Sequence, residues 1–93
     1  MTNTLAVSYI TRLPQHTSKF RELQLSLEMT KKIYADASFS TSTAWKMFDL
    51  AVEDGNTEAK NQLAELAVLC EHIQQEAYKE LEDSKRNLLE LFN

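Results

Sequence analysis

AWKMFDLAVEDGNTEAKNQLAEL, residues 44–66, holds two apolar-patterned runs on either side of Asp54-Gly55-Asn56-Thr57. Gly55 is the chain's single glycine, and it stands where a helix ends in the left-handed conformation that only glycine adopts without penalty. Thr57, with Glu58 behind it in the first turn, reads as the N-cap of a following helix with a carboxylate favourably placed on the helix dipole. The stretch is therefore an αα-hairpin, and the fold is read outward from it.

Toward the C-terminus the spacing predicts one long helix, about 57–92. At 100° per residue Ala59, Leu63, Leu66, Cys70, Ile73, Ala77, Leu81, Leu88 and Leu91 fall within a stripe roughly 80° wide. Toward the N-terminus a shorter helix is expected over 44–54. The run SFSTST (38–43) reads as a break, because Ser and Thr side chains compete for backbone hydrogen bonds. Before it a third helix is expected over about 14–38, opened by Pro14 in its first turn, with Thr17 or Ser18 capping any later start. Leu13, Phe20, Leu23, Leu27, Tyr34 and Ala37 share one face of it. Leu25, Met29 and Ile33 form a second stripe that needs separate cover. Residues 1–12 read as a loose arm, in which Leu5, Val7 and Tyr9 alternate but find no partner strand.

The expected fold class is thus all-α: a single domain over 13–93, a small bundle of about three helices with an antiparallel hairpin and a long C-terminal helix. The last helix carries an apolar seam of about 48 Å, whereas the other two span about 16 and 36 Å at 1.5 Å per residue. A second copy of the chain is the expected cover for the remainder. The stripe residues Leu63, Leu66, Cys70, Ile73, Leu81, Leu88 and Leu91 are accordingly expected in the core or a homodimer seam.

Composition agrees. One Gly and one Pro in 93 residues suit helices joined by few turns, and a chain this short buries a modest share of its surface. Residues 1–52 hold six bases against four acids, a net of +2, and residues 53–93 hold four bases against ten acids, a net of −6. That asymmetry favours the halves packing side by side and sets the acidic half against nucleic-acid phosphates. One cysteine, Cys70, excludes an intrachain disulfide. MTNTLAVSYITRLP has no basic segment ahead of its apolar residues, and no run approaches twenty apolar residues. A cytoplasmic protein without membrane association is the expectation.

Ala44, Phe48, Ala51, Gly55, Ala59, Leu63 and Ala64 fall at the spacing found in the helix-loop-helix junction of Sel-type repeats, relatives of tetratricopeptide repeats, and residues 44–64 resemble one such unit. Met47 stands where that family usually has Trp, and no second unit follows Leu66. The resemblance implies two antiparallel helices brought close by small residues and turned by Gly55.

Candidate chemistry is sparse. Cys70 sits mid-stripe and reads as a small core hydrophobe. His72 and Glu76, four apart, form one edge of a metal site without a second pair, so no metal or cofactor is expected. Phosphate-binding glycine motifs and catalytic dyads are missing from the sequence, and no enzyme is expected. Ala51 and Gly55 have the offset of a DNA-reading helix-turn-helix, but Asn56 and Asn61 are polar where that motif needs apolar residues. Glu58, Glu65, Glu76, Asp83 and Glu90 form an acidic face, a solvated surface or a decoy for a nucleic-acid-binding protein.

The expected function is a non-enzymatic protein–protein interaction module: an adaptor, small chaperone or inhibitor. In size, acidity and helix content the chain is similar to small bacterial secretion chaperones and phage-encoded inhibitors. Leu25, Met29, Ile33 and Trp45 are the expected partner-binding patch. The acidic decoy and a helix-turn-helix regulator are the alternatives.

Overall fold

The computed structural model describes residues 14–92. Two helices account for nearly all of them: α1, Pro14–Glu53, and α2, Thr57–Glu90. They lie side by side and antiparallel along their whole length in a rod of 65 × 22 × 17 Å. The expected arm over 1–12, and Leu13, lie outside the described residues.

The turn is made as its sequence demands. Gly55 has φ +70°. Its N–H donates to Val52 O (3.1 Å) and that of Asn56 to Ala51 O (3.0 Å), which satisfies the last carbonyls of α1. The N-cap of α2 is Asn56 rather than Thr57: its side-chain oxygen accepts from the Ala59 N–H at 3.1 Å. One residue thus closes α1 with its backbone and opens α2 with its side chain. Asn56→Ala is expected to cost about 1 kcal/mol, lowering the melting temperature by about 4–8 °C, as thermal denaturation followed by circular dichroism reads directly.

Among the described residues the expected three helices become two. SFSTST is helix interior, and α1 runs through it unbroken from Pro14, so Thr17 and Ser18 lie inside the helix rather than capping it. Within the run Thr41 Oγ1 donates to Ala37 O at 2.9 Å, as Thr30 Oγ1 does to Leu27 O at 2.9 Å farther up the helix, and Ser38 Oγ accepts from Gln74 of α2. A hydroxyl that bonds back to the preceding turn has no need to break it. Helix α1, about 60 Å long at 1.5 Å per residue, covers α2 from end to end, and Phe20 meets Phe92 edge-on at the open end with ring centroids 5.6 Å apart. The length mismatch that called for a second copy therefore does not exist.

The seam follows a strict alternation of three- and four-residue steps. On α1 it passes through Phe20, Leu23, Leu27, Thr30, Tyr34, Ala37, Thr41, Ala44, Phe48 and Ala51. On α2 it passes through Leu63, Ala67, Cys70, Gln74, Ala77, Leu81, Ser84, Leu88 and Leu91. All of these are buried or half-buried. That 3.5-residue period marks an antiparallel coiled-coil pair, in which slight supercoiling keeps one stripe facing the partner. The 100° wheel drifts from it by about 20° per heptad. For that reason Leu66 and Ile73, expected in the stripe, are 47% and 49% exposed, while Ala67, Gln74 and Ser84 take the inner places.

The core is made of small residues. Ala37, Ala44, Ala51, Ala67 and Ala77 are buried with Thr41, Ser84 and Leu81, and among the described residues no large side chain is fully buried. Such a seam lets the backbones approach toward the lower end of the 8–10 Å range. It removes little hydrocarbon from water, since burial stabilises in proportion to apolar area.

Candidate protein-binding surface

The two sides of the seam differ in chemistry. On one side, the Trp45 flank, polar groups stitch the helices together. Trp45 Nε1 donates to Glu71 Oε1 at 2.7 Å, and Gln74 Nε2 donates to Ser38 Oγ at 3.0 Å. Tyr34 and Tyr78 meet at a tilt, with centroids 5.7 Å apart. A shallow depression of about 530 Å³ runs there between Tyr34 and Thr41 of α1 and Glu71, Gln74, Gln75, Tyr78 and Lys79 of α2.

The other side, the Met47 flank, is apolar. Phe39, Ser40, Thr43, Ala44 and Met47 of α1 and Leu66 and Cys70 of α2 line an open groove of about 310 Å³. Continuing the same three- and four-residue steps along α1 passes exposed Asp36 and reaches Met29, Ile33 and Leu50, and along α2 Leu69 and Ile73. All of them are exposed, and helical spacing places them on this flank. The flank thus carries its own second repeat, parallel to the seam and uncovered. Toward the open end its α2 side changes character to Glu76, Glu80 and Asp83, all exposed.

Leu25, Met29 and Ile33 are surface residues, 60%, 66% and 44% exposed. Trp45 does not join them. It is half-buried on the opposite flank, packed edge-on against Phe48 with centroids 5.3 Å apart and tied to Glu71. Its indole N–H is already satisfied, so Trp45 joins the two helices.

The expected seam residues divide between two places. Leu81 is buried and Leu63, Cys70, Leu88 and Leu91 are half-buried between the helices, whereas Leu66 and Ile73 face out on the Met47 flank. Met47, Leu50 and Leu69 are surface residues that the 100° wheel did not single out. A wheel drawn at 3.5 residues per turn collects them on one line with Leu66 and Ile73.

Glu58, Glu65, Glu76, Asp83 and Glu90 are all exposed on α2. Two of them carry a base one turn on: Glu76 pairs with Lys79 at 3.7 Å, and Asp83 pairs with Arg86. These i,i+3 pairs are worth a few tenths of a kcal/mol and interrupt the acidic line with cations. His72 and Glu76 are exposed, and the described residues contain no group of three or more His, Cys, Asp or Glu placed to hold a metal ion. No helix among the described residues is long and apolar enough to cross a membrane. The residues that resemble a Sel-type junction are the turn and its packing, with Ala44 and Ala51 buried and Phe48, Ala59, Leu63 and Ala64 half-buried. The full-length side-by-side packing differs from the steep crossing, about 90–120°, of a DNA-reading helix-turn-helix. The chain matches no protein-family profile, no curated protein and no solved structure.

Proposed function

We propose that the hairpin is a non-enzymatic protein–protein interaction module, an adaptor, small chaperone or inhibitor, that binds a protein partner through the Met47 flank. One observation carries this reading: fourteen large apolar residues are exposed among those described, while no large side chain is fully buried. Scattered surface hydrophobes are ordinary, but several gathered on one flank at helical spacing mark an interaction surface, here Met29, Ile33, Met47, Leu50, Leu66, Leu69 and Ile73, with Asp36, Ser40 and Thr43 between them on α1. Leu25, Met29 and Ile33 supply α1's share near the open end. Hydrocarbon and thioether side chains bind by burial, and methionine adapts to irregular partners.

The test compares wild type with Met29→Glu in affinity capture from the native cell extract. A charge at an exposed position leaves the fold intact, so the helical signal is expected to stay and the captured protein to disappear. Identical captured proteins for both forms, or none for either, overturns the reading. Loss of helicity in Met29→Glu places that residue in the core and overturns it equally.

A further inference from the structure

We infer that the turn half of the Met47 flank is covered by a second copy of this chain, the two hairpins forming a four-helix bundle about a twofold axis. The inference rests on the preceding reading of the flank as an interface and names the occupant of one half of it.

Burial is the first ground. Met47, Leu50, Leu66, Leu69 and Ile73 are 47–59% exposed, while among the described residues no large side chain is fully buried. The seam inside the hairpin is filled with alanine and hydroxyl side chains, so the hairpin's own burial is modest. Cover is needed whenever the chain is folded, and the one partner present at every chain's synthesis is the chain itself.

Geometry and charge select the half. Ser40, Thr43, Met47 and Leu50 on α1 and Leu66, Leu69 and Ile73 on α2 repeat the three- and four-residue steps of the intrachain seam, the spacing that packs helices lengthwise. The groove pairs a small floor, Ser40, Thr43 and Ala44, with the bulk of Met47 and Leu66 beside it, so the patch offers both hollows and projections to a copy of itself. A twofold contact sets a patch against its own image, and a patch of one sign repels itself. None of these residues is charged. Farther along, Glu76, Glu80 and Asp83 make the α2 side of the flank acidic, which disfavours a copy there and leaves Leu25, Met29 and Ile33 to a different protein.

The test is molar mass by light scattering across a range of concentrations, with Leu69→Glu and, on another face, Leu89→Glu. Wild type and Leu89→Glu are expected at twice 10.7 kDa, with melting temperatures that rise with concentration. Leu69→Glu is expected to raise the dimer dissociation constant by about 100-fold or more, because it buries an unpaired carboxylate at two symmetry-related places. If Leu69→Glu loses helicity, recovery at higher chain concentration marks weakened association. A loss independent of concentration puts Leu69 in the monomer's core and overturns the inference, as does a wild type that stays at 10.7 kDa. A monomer that captures a protein through Met29 sinks the dimer and keeps the interaction module. A dimer that captures nothing keeps the second copy and sinks the heterotypic partner.

Discussion

Ser42→Pro is expected to destabilise the protein by about 3 kcal/mol or more, with the melting temperature falling by roughly 12 °C or more. Ser42 is exposed in the middle of α1, so the substitution removes no packing. It acts through the backbone: the ring displaces the hydrogen bond to the carbonyl one turn back and clashes with that carbonyl. Ser42→Ala at the same place is expected to be neutral or slightly stabilising, since alanine is the better helix former. The comparison tests the continuity of α1. Were SFSTST a connection between two helices, proline would be tolerated there, and equal melting temperatures for the two variants would remove the two-helix architecture.

Ala67→Leu is expected to destabilise the protein by about 1–3 kcal/mol although it adds hydrocarbon to the seam. Ala67 is wholly inaccessible, and Ala44, 3% exposed, lies at the same level across the pair. A leucine at that level forces the helices apart, toward the spacing of a large-residue pair, and separates the neighbouring small residues as well. Ala67→Gly costs about 1 kcal/mol through helix propensity alone and separates the backbone effect from the steric one. In a coiled coil with ordinary spacing, leucine at a seam position stabilises. A rise in melting temperature for Ala67→Leu would therefore contradict the close approach.

The outline of the hairpin is legible in the sequence because its signals are local. A lone proline suits only the first turn of a helix, and α1 begins at Pro14. A lone glycine followed by a run of helix formers marks a helix end, and Gly55 has the expected positive φ. The exposed stripe Leu25, Met29 and Ile33 is legible too, because a surface helix buries one face and these residues lie off it.

Where sequence and structure differ, the residues concerned are ones whose behaviour depends on a neighbour. Serine and threonine at 38–43 either cap a helix or bond back into one. Thr41 does the latter: with Ala37 and Ala44 it lies buried on the face turned to α2, and its hydroxyl donates to Ala37 O. A stripe at 100° per residue has the period of a straight helix, whereas two helices wound together keep a period nearer 3.5. That small change moves Leu66 and Ile73 from the core to the surface and assembles them with Met47 into one groove. Trp45 has the chemistry of an anchor, but a carboxylate 26 residues away holds its N–H.

By itself the sequence determined the helical class, the position of the reversal and the acidic character of α2, all of which follow from single residues or their near neighbours. The tertiary structure alone decided the number of helices, which leucines face inward, and the joining of two half-stripes from α1 and α2 into one apolar flank. The reason is physical: backbone preference acts over a few residues, whereas the direction a helix face points is set by the other helix it winds against.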